Sequence, residues 1–266
     1  MSSPVLHHLF VGDEDAPRRM FILHGIYGAG RNWASFARQL AEVRPQWVAV
    51  LIDLRLHGHS RGFAPPHRLS SCVHDLVTLS DELGYRPDAI LGHSFGGKVA
   101  LMAAPALHPA QVWVIDSTPS KRTPGGSAVR MLGILRRLPR SFDSRQDGVA
   151  ALEGEGLSPP VAHWMATNLE LRDGRFVWRF ELSDMEALLD DFFRRDLWDV
   201  VESPPAGTEI HLVRASESDV MPPGELARAR TAAPERTHAH QLHGGHWLHQ
   251  DNPAGLLELV AAELPG

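Results

Sequence analysis

Short apolar runs alternate along the chain with stretches whose apolar residues recur at helical spacing. Arg19 to Leu23, Trp47 to Asp53, Asp88 to Leu91, Gln111 to Asp116 and Glu209 to Arg214 are brief and nearly continuous in apolar side chains. Strands covered on both faces carry this pattern, and parallel sheets place strands that way. Between them, Asn32 to Leu40 puts Trp33, Phe36, Ala37 and Leu40 on one helical face. Leu69 to Gly84 reads as an amphipathic helix with Val73, Leu76, Leu79 and Leu83 as its buried stripe and Gly84 as its stop. Pro4 to Val11 alternates weakly, as an edge strand does. Thr237 to Leu242 is a last strand, and helices over Pro223 to Ala232 and Pro253 to Leu264 complete the series. Strands alternating with helices predict an α/β fold, a mostly parallel sheet flanked by helices.

The rhythm breaks between residues 117 and 207. Helical patterns dominate there, no strand is evident, and prolines such as Pro119, Pro139 and Pro159 punctuate the stretch. Phe142, Trp164, Phe176, Trp178, Phe180, Phe192, Phe193 and Trp198 concentrate in it. The expected organisation is a core of residues 1–116 and 208–266, with residues 117–207 inserted as a helical cap over the strand ends. The cap aromatics either line a pocket or pack the cap on the sheet.

One stretch changes the picture from fold to chemistry. Leu91-Gly92-His93-Ser94-Phe95-Gly96-Gly97-Lys98 contains G-x-S-x-G between a strand pattern and the helical run Val99 to Ala104. Strand, sharp turn and helix is the setting of a nucleophile elbow. Side chains at positions 92 and 96 would collide with the neighbouring strand and helix, which accounts for the glycines. The helix beyond Ser94 turns its positive end toward a developing anion. Lys98 falls one turn further on and reads as a structural or rim charge.

A serine hydroxyl needs a base, and the base needs an orienting group. His246, in the loop after the last strand and preceded by Gly244 and Gly245, is the expected base; His243 and His249 are its rivals. Two carboxylates compete for the third place. Asp116 ends a strand, where site residues of open α/β sheets collect, and is preferred; Asp219 lies in the loop after the strand ending at Arg214. Upstream, a strand runs into His24-Gly25-Ile26-Tyr27-Gly28, so the backbone N–H groups of Ile26 and Phe95 are the expected oxyanion donors. His24, Gly25, Trp164 and Trp247 are expected at the substrate. Asp53 and Arg55, in a second H-G-containing turn, read as braces for the neighbouring loops, and His57 and His59 as loop packing.

The 266 residues are 43% hydrophobic and 22% charged, with a formal net charge of −6. That balance argues against nucleic acid or an anionic membrane surface as partner. Cys72 is the single cysteine, which excludes an intramolecular disulfide. No secretory or membrane-spanning pattern stands out, so the expected location is the cytoplasm. Sixteen histidines invite a zinc reading, above all His240, His243, His246 and His249, but no H-E-x-x-H or Cys/His set accompanies them, and no metal or other cofactor is expected.

Taken together, the H-G-x-x-G strand end, Asp53-Leu54-Arg55-Leu56-His57-Gly58-His59-Ser60, the Gly92–Lys98 elbow, Val114-Ile115-Asp116 and Gly244-Gly245-His246-Trp247 resemble the α/β-hydrolase fold along nearly the whole chain. Within it the chain looks most like small YbfF-type acyl esterases. That resemblance implies an acid drawn from the strand before the cap, which is Asp116 here. It also implies a serine hydrolase acting on a small-molecule acyl ester or thioester. Carbon–carbon bond hydrolases, lyases and cofactor-free haloperoxidases share such machinery, and a ligand receptor on the same fold is the non-enzymatic alternative.

Overall fold

A computed structural model describes residues 4–266. In chain order the first half gives β1 (His8–Val11), β2 (Arg18–Leu23), α1 (Ala34–Val43), β3 (Trp47–Ile52), α2 (Leu69–Leu83), β4 (Ala89–His93), α3 (Phe95–Leu107) and β5 (Gln111–Ile115). The middle gives α4 (Gly126–Arg137), β6 (Ser141–Phe142), α5 (Arg145–Gly154), α6 (Pro159–Ala166), β7 (Leu169–Arg172), β8 (Arg175–Trp178), α7 (Leu182–Arg194) and α8 (Trp198–Glu202). The chain closes with β9 (Glu209–Ala215), α9 (Pro223–Ala232), β10 (Thr237–Leu242), α10 (Leu248–Asp251) and α11 (Pro253–Glu263).

Seven strands form one sheet in the order β1-β3-β2-β4-β5-β9-β10. Only β1 runs antiparallel, against β3 at the edge; the other neighbours are parallel. Every residue of β3, β4 and β5 is buried, which is why these segments are apolar but for His93 at the end of β4 and Gln111 at the start of β5. One face packs on Leu76, Leu79, Val99 and Leu101 of α2 and α3; the other packs on Trp33, Phe36, Leu40, Leu256 and Val260 of the α1 and α11 layer. In α2 the buried stripe is rotated from the expected one. Leu69, Cys72, Leu76 and Leu79 are fully covered, while Val73 and Leu83 sit half-buried at its flank. Asp75 turns inward because Arg55 grips it with two bonds of 2.6 and 2.8 Å. Gly84 ends the helix at φ +75°, in the left-handed region.

The segment between β5 and β9 is not purely helical, contrary to expectation. Strands β6, β8 and β7 form a small antiparallel sheet. Its hairpin turns through Asp173 and Gly174, both at positive φ, so a two-residue Asp-Gly turn joins β7 to β8. Of its two readings, structural or rim charge, Lys98 takes the structural one. It is fully buried and donates to the carbonyls of Ser120, Phe192 and Arg195 at 2.8 Å each, with its ammonium 4.6 Å from the Phe192 ring centre. It thereby ties α3 of the core to the carboxyl end of α7 in the inserted segment.

The chain steps from β2 out to β3, then back past β2 to β4. This reversal opens a crevice at the carboxyl ends of β2 and β4, the usual ligand position in open α/β sheets. The turns that leave these two strands carry Ile26 and Ser94.

Candidate active site

Ser94 sits between β4 and α3 at φ +53° and ψ −116°, a conformation that side chains rarely adopt. Close packing enforces it. A Cβ at Gly92 would lie 2.1 Å from the Gly96 carbonyl oxygen, and one at Gly96 would lie 2.6 Å from the carbonyl oxygens of Leu23 and His24. Strand β2 and helix α3 therefore touch backbone to backbone beneath the serine, and the Ser94 amide is anchored to the Ile115 carbonyl at 3.0 Å. Ser94 itself is half-buried.

His246 comes from the loop after β10, 152 residues from Ser94 in sequence, and its Nε2 lies 3.1 Å from Ser94 Oγ. Its Nδ1 lies 2.7 Å from Asp116 Oδ2. Asp116 is fully buried at φ +43°. Its other oxygen accepts the Ala215 N–H at 3.1 Å, and its own N–H donates to the Val213 carbonyl at 2.8 Å. The Asp116 carboxylate is thus pinned to the end of β9 by main-chain groups, and hydroxyl, imidazole and carboxylate stand in one hydrogen-bonded line. Asp219 is exposed, with no hydrogen bond to His246. His243 is exposed beside Ser216 and Glu217, and His249 stacks on Trp33 with ring centres 4.5 Å apart.

His93, which the sequence analysis did not single out, holds the His246 loop. Its Nε2 donates to the His246 carbonyl at 2.8 Å, and the two rings lie 4.6 Å apart. Burial, reinforced by the neighbouring His246 and His249, keeps the His93 pKa well below the ordinary histidine value. The signal for it was a polar residue at the end of an otherwise apolar strand.

His24, expected at the substrate, is turned into the protein. It is buried, its Nδ1 donates to the Gly25 carbonyl at 2.7 Å, and its Nε2 accepts the Leu54 N–H at 3.0 Å, so both ring nitrogens are spent on backbone. His57 works alongside it, 4.9 Å away between ring centres. It accepts the Tyr27 N–H at 3.2 Å and donates to the Arg55 carbonyl at 2.9 Å, and burial lowers its pKa to about 3. Asp53 completes the brace by accepting the N–H groups of Gly30 at 2.7 Å and His59 at 2.9 Å. These contacts clamp the loops after β2 and β3 together. Within the clamped loop, Tyr27 N–H goes to His57 and Gly28 N–H to the Gly25 carbonyl, whereas the Ile26 N–H has no acceptor among the described residues. Phe95 opens α3, so its N–H also lacks a partner within the helix.

Gly25 borders the serine: a Cβ there would lie 3.4 Å from Ser94 Cβ. Trp247, next to His246, meets Trp164 of α6 with ring centres 5.5 Å apart and planes tilted by 50°. Both indoles are half-buried. The inserted segment therefore reaches the histidine loop through this pair.

The family model for the alpha/beta hydrolase family matches residues 20–259. Among curated proteins, an sn-1-specific diacylglycerol lipase of Mus musculus, ABHD11, is 27% identical over 270 residues, covering 98% of this chain and 85% of the relative. Lipase LipV of Mycobacterium tuberculosis is 32% identical over 204 residues, covering 75% of this chain and 74% of the relative. Among solved structures, a marine microorganism esterase superposes with a TM-score of 0.84 at 22% identity, covering 98% of this chain and all of that one. That last likeness concerns the fold.

Proposed function

The chain belongs to the alpha/beta hydrolase family, and on that premise we propose that it is a serine hydrolase that cleaves carboxylic esters or thioesters through an acyl-enzyme on Ser94. The observation that carries this reading is the line from Ser94 Oγ through His246 to Asp116, with contacts of 3.1 and 2.7 Å. The names of the lipase relatives support an ester as the bond attacked.

In this reading Ser94 Oγ attacks the acyl carbon as His246 Nε2 takes its proton. Asp116 keeps the second imidazole proton on Nδ1 and stabilises the imidazolium that forms. The negative charge that gathers on the carbonyl oxygen is met by the N–H groups of Phe95 and Ile26, left without acceptors by the helix start and by the histidine clamp. His246 then protonates the leaving alcohol or thiol, and a water activated by the same imidazole releases the acid. Residues 117–207 act as the cap, with Trp164 against Trp247 at its contact with the histidine loop. The acyl group is expected along the half-buried indoles.

Turnover of p-nitrophenyl esters of increasing acyl length tests the proposal. Ester hydrolysis is expected to fall by on the order of 10⁴-fold or more in Ser94→Ala. Hydrolysis that survives in that variant would overturn the assignment.

A further inference from the structure

At the other end of strands β9 and β10, away from Ser94, metal-binding side chains converge. Strand β9 begins Glu209-Ile210-His211 and β10 carries His238-Ala239-His240. The two strands pair in parallel with His238 beside His211 and His240 beside Val213. Alternation along a strand then sets Glu209, His211, His238 and His240 on one face.

Glu209 Oε2 lies 3.7 Å from His211 Nε2 and 3.8 Å from His238 Nε2. One donor atom from each of these residues lies within 4.8 Å of the other two. Ligands about 2.1 Å from a tetrahedral ion stand roughly 3.4 Å apart, so small rotations of the side chains close the set. His211 is completely buried, and the Nε2 atoms of both His211 and His238 are shut off from solvent without a hydrogen-bond partner. Two buried ring nitrogens without partners thus face one carboxylate.

The surroundings orient the ligands. His211 Nδ1 bonds His240 Nε2 at 3.2 Å; with the proton on Nδ1, Nε2 keeps a lone pair directed at the cluster. The His211 ring stacks on Trp113, with centres 4.0 Å apart, and His240 lies beside it nearly in plane, with centres 5.4 Å apart. The Gln111 amide reaches Glu209 Oε2 at 3.5 Å and also donates to the Glu263 carbonyl at the end of α11. Glu209 is about half exposed and offers the way in.

We propose that Glu209, His211 and His238 bind one divalent transition-metal ion of the zinc class, with water as a fourth ligand. Two imidazoles and one carboxylate suit Zn²⁺ and its neighbours, whereas Mg²⁺ and Ca²⁺ prefer all-oxygen sites. The ion joins β9 to β10 beneath α11. It is structural, because His211 stands about 13 Å along β9 from Ala215, the residue that holds Asp116.

Calorimetric titration of the full chain with ZnCl₂ tests this, with Co²⁺ absorption as a second readout of coordination. One ion per chain is expected, together with a higher thermal midpoint. Glu209→Gln and His238→Ala should each weaken binding at least 100-fold while leaving fluorophosphonate labelling of the serine unchanged. His240→Phe keeps the three ligands and should lose roughly 10- to 100-fold. His243→Ala, in the exposed loop, should bind as the parent does. Absence of saturable one-to-one binding overturns the proposal, as does affinity unchanged by both ligand substitutions. Binding lost only in His246→Ala would place the ion at the serine and overturn it equally.

Discussion

Replacing Lys98 by Met removes the buried ammonium that ties the core to the inserted segment. Three carbonyls lose their donor at once: Ser120, just past β5, and Phe192 and Arg195, at the end of α7. Carbonyls of the last helical turn have no partner within the helix, so here the lysine supplies it and also complements the negative end of the α7 dipole. Hydrogen bonds to a charged donor contribute about 1.5–3 kcal/mol each. Relief from burying the ammonium offsets part of their loss; burial lowers its pKa to about 8, opposed by Asp196 and Glu225, so it is charged at neutral pH. Each carbonyl left unsatisfied costs about 1–3 kcal/mol, and after that relief a net loss of about 3–5 kcal/mol is expected. For a chain of this size the thermal midpoint should fall by roughly 10 °C. Differential scanning fluorimetry measures it, and limited proteolysis should show early cutting within residues 117–207. A midpoint within about 2 °C of the parent would refute the idea that this lysine holds the two parts together.

The acid of the triad is testable by a paired substitution. Asp116→Asn should lower kcat about 10³–10⁴-fold, whereas Asp219→Asn should stay within a few-fold of the parent; the reverse order in a p-nitrophenyl acetate assay would move the acid to the later loop. Acid should destabilise the fold through its buried histidines. The folded-state pKa is lowered to about 3 for His57 and about 4 for His249, mainly by burial, against an ordinary 6.5. As pH falls from 6.5 toward those values, the unfolded chain takes up protons the folded chain refuses, so stability is lost over that window. The slope is about 1.4 kcal/mol per pH unit for each such histidine. Urea unfolding between pH 6.5 and 4 reads it, and His57→Gln should flatten the curve by about one such increment; a curve unchanged by that substitution would contradict the assignment.

Strands β3, β4 and β5 were legible because a strand buried on both faces is apolar along nearly all its length. The Ser94 turn was legible for a related reason: backbone contact at Gly92 and Gly96 leaves no room for any other residue. What eluded sequence reading was decided by partners distant in sequence. Whether His24 faces substrate or protein depends on the Leu54 N–H arriving from β3, and the depth of Lys98 depends on carbonyls 94 and 97 residues further along. The place of Asp116 beside His246 follows from the register of β5 on β9, which aims the Ala215 N–H at its carboxylate. The β7–β8 hairpin is different, since Asp173-Gly174 between alternating segments announces such a turn; the surrounding prolines and aromatics drew attention to helices instead. Similarly, Glu209-x-His211 and His238-x-His240 become one cluster only when β9 and β10 are known to lie side by side.

The most direct test of the central claim is where a fluorophosphonate attaches and how fast. Peptide mass spectrometry of the treated protein should find a single adduct on the peptide carrying Ser94. That adduct should be absent from Ser94→Ala and form far more slowly in His246→Ala. An adduct on another residue, or labelling at an unchanged rate without the imidazole, would contradict the account.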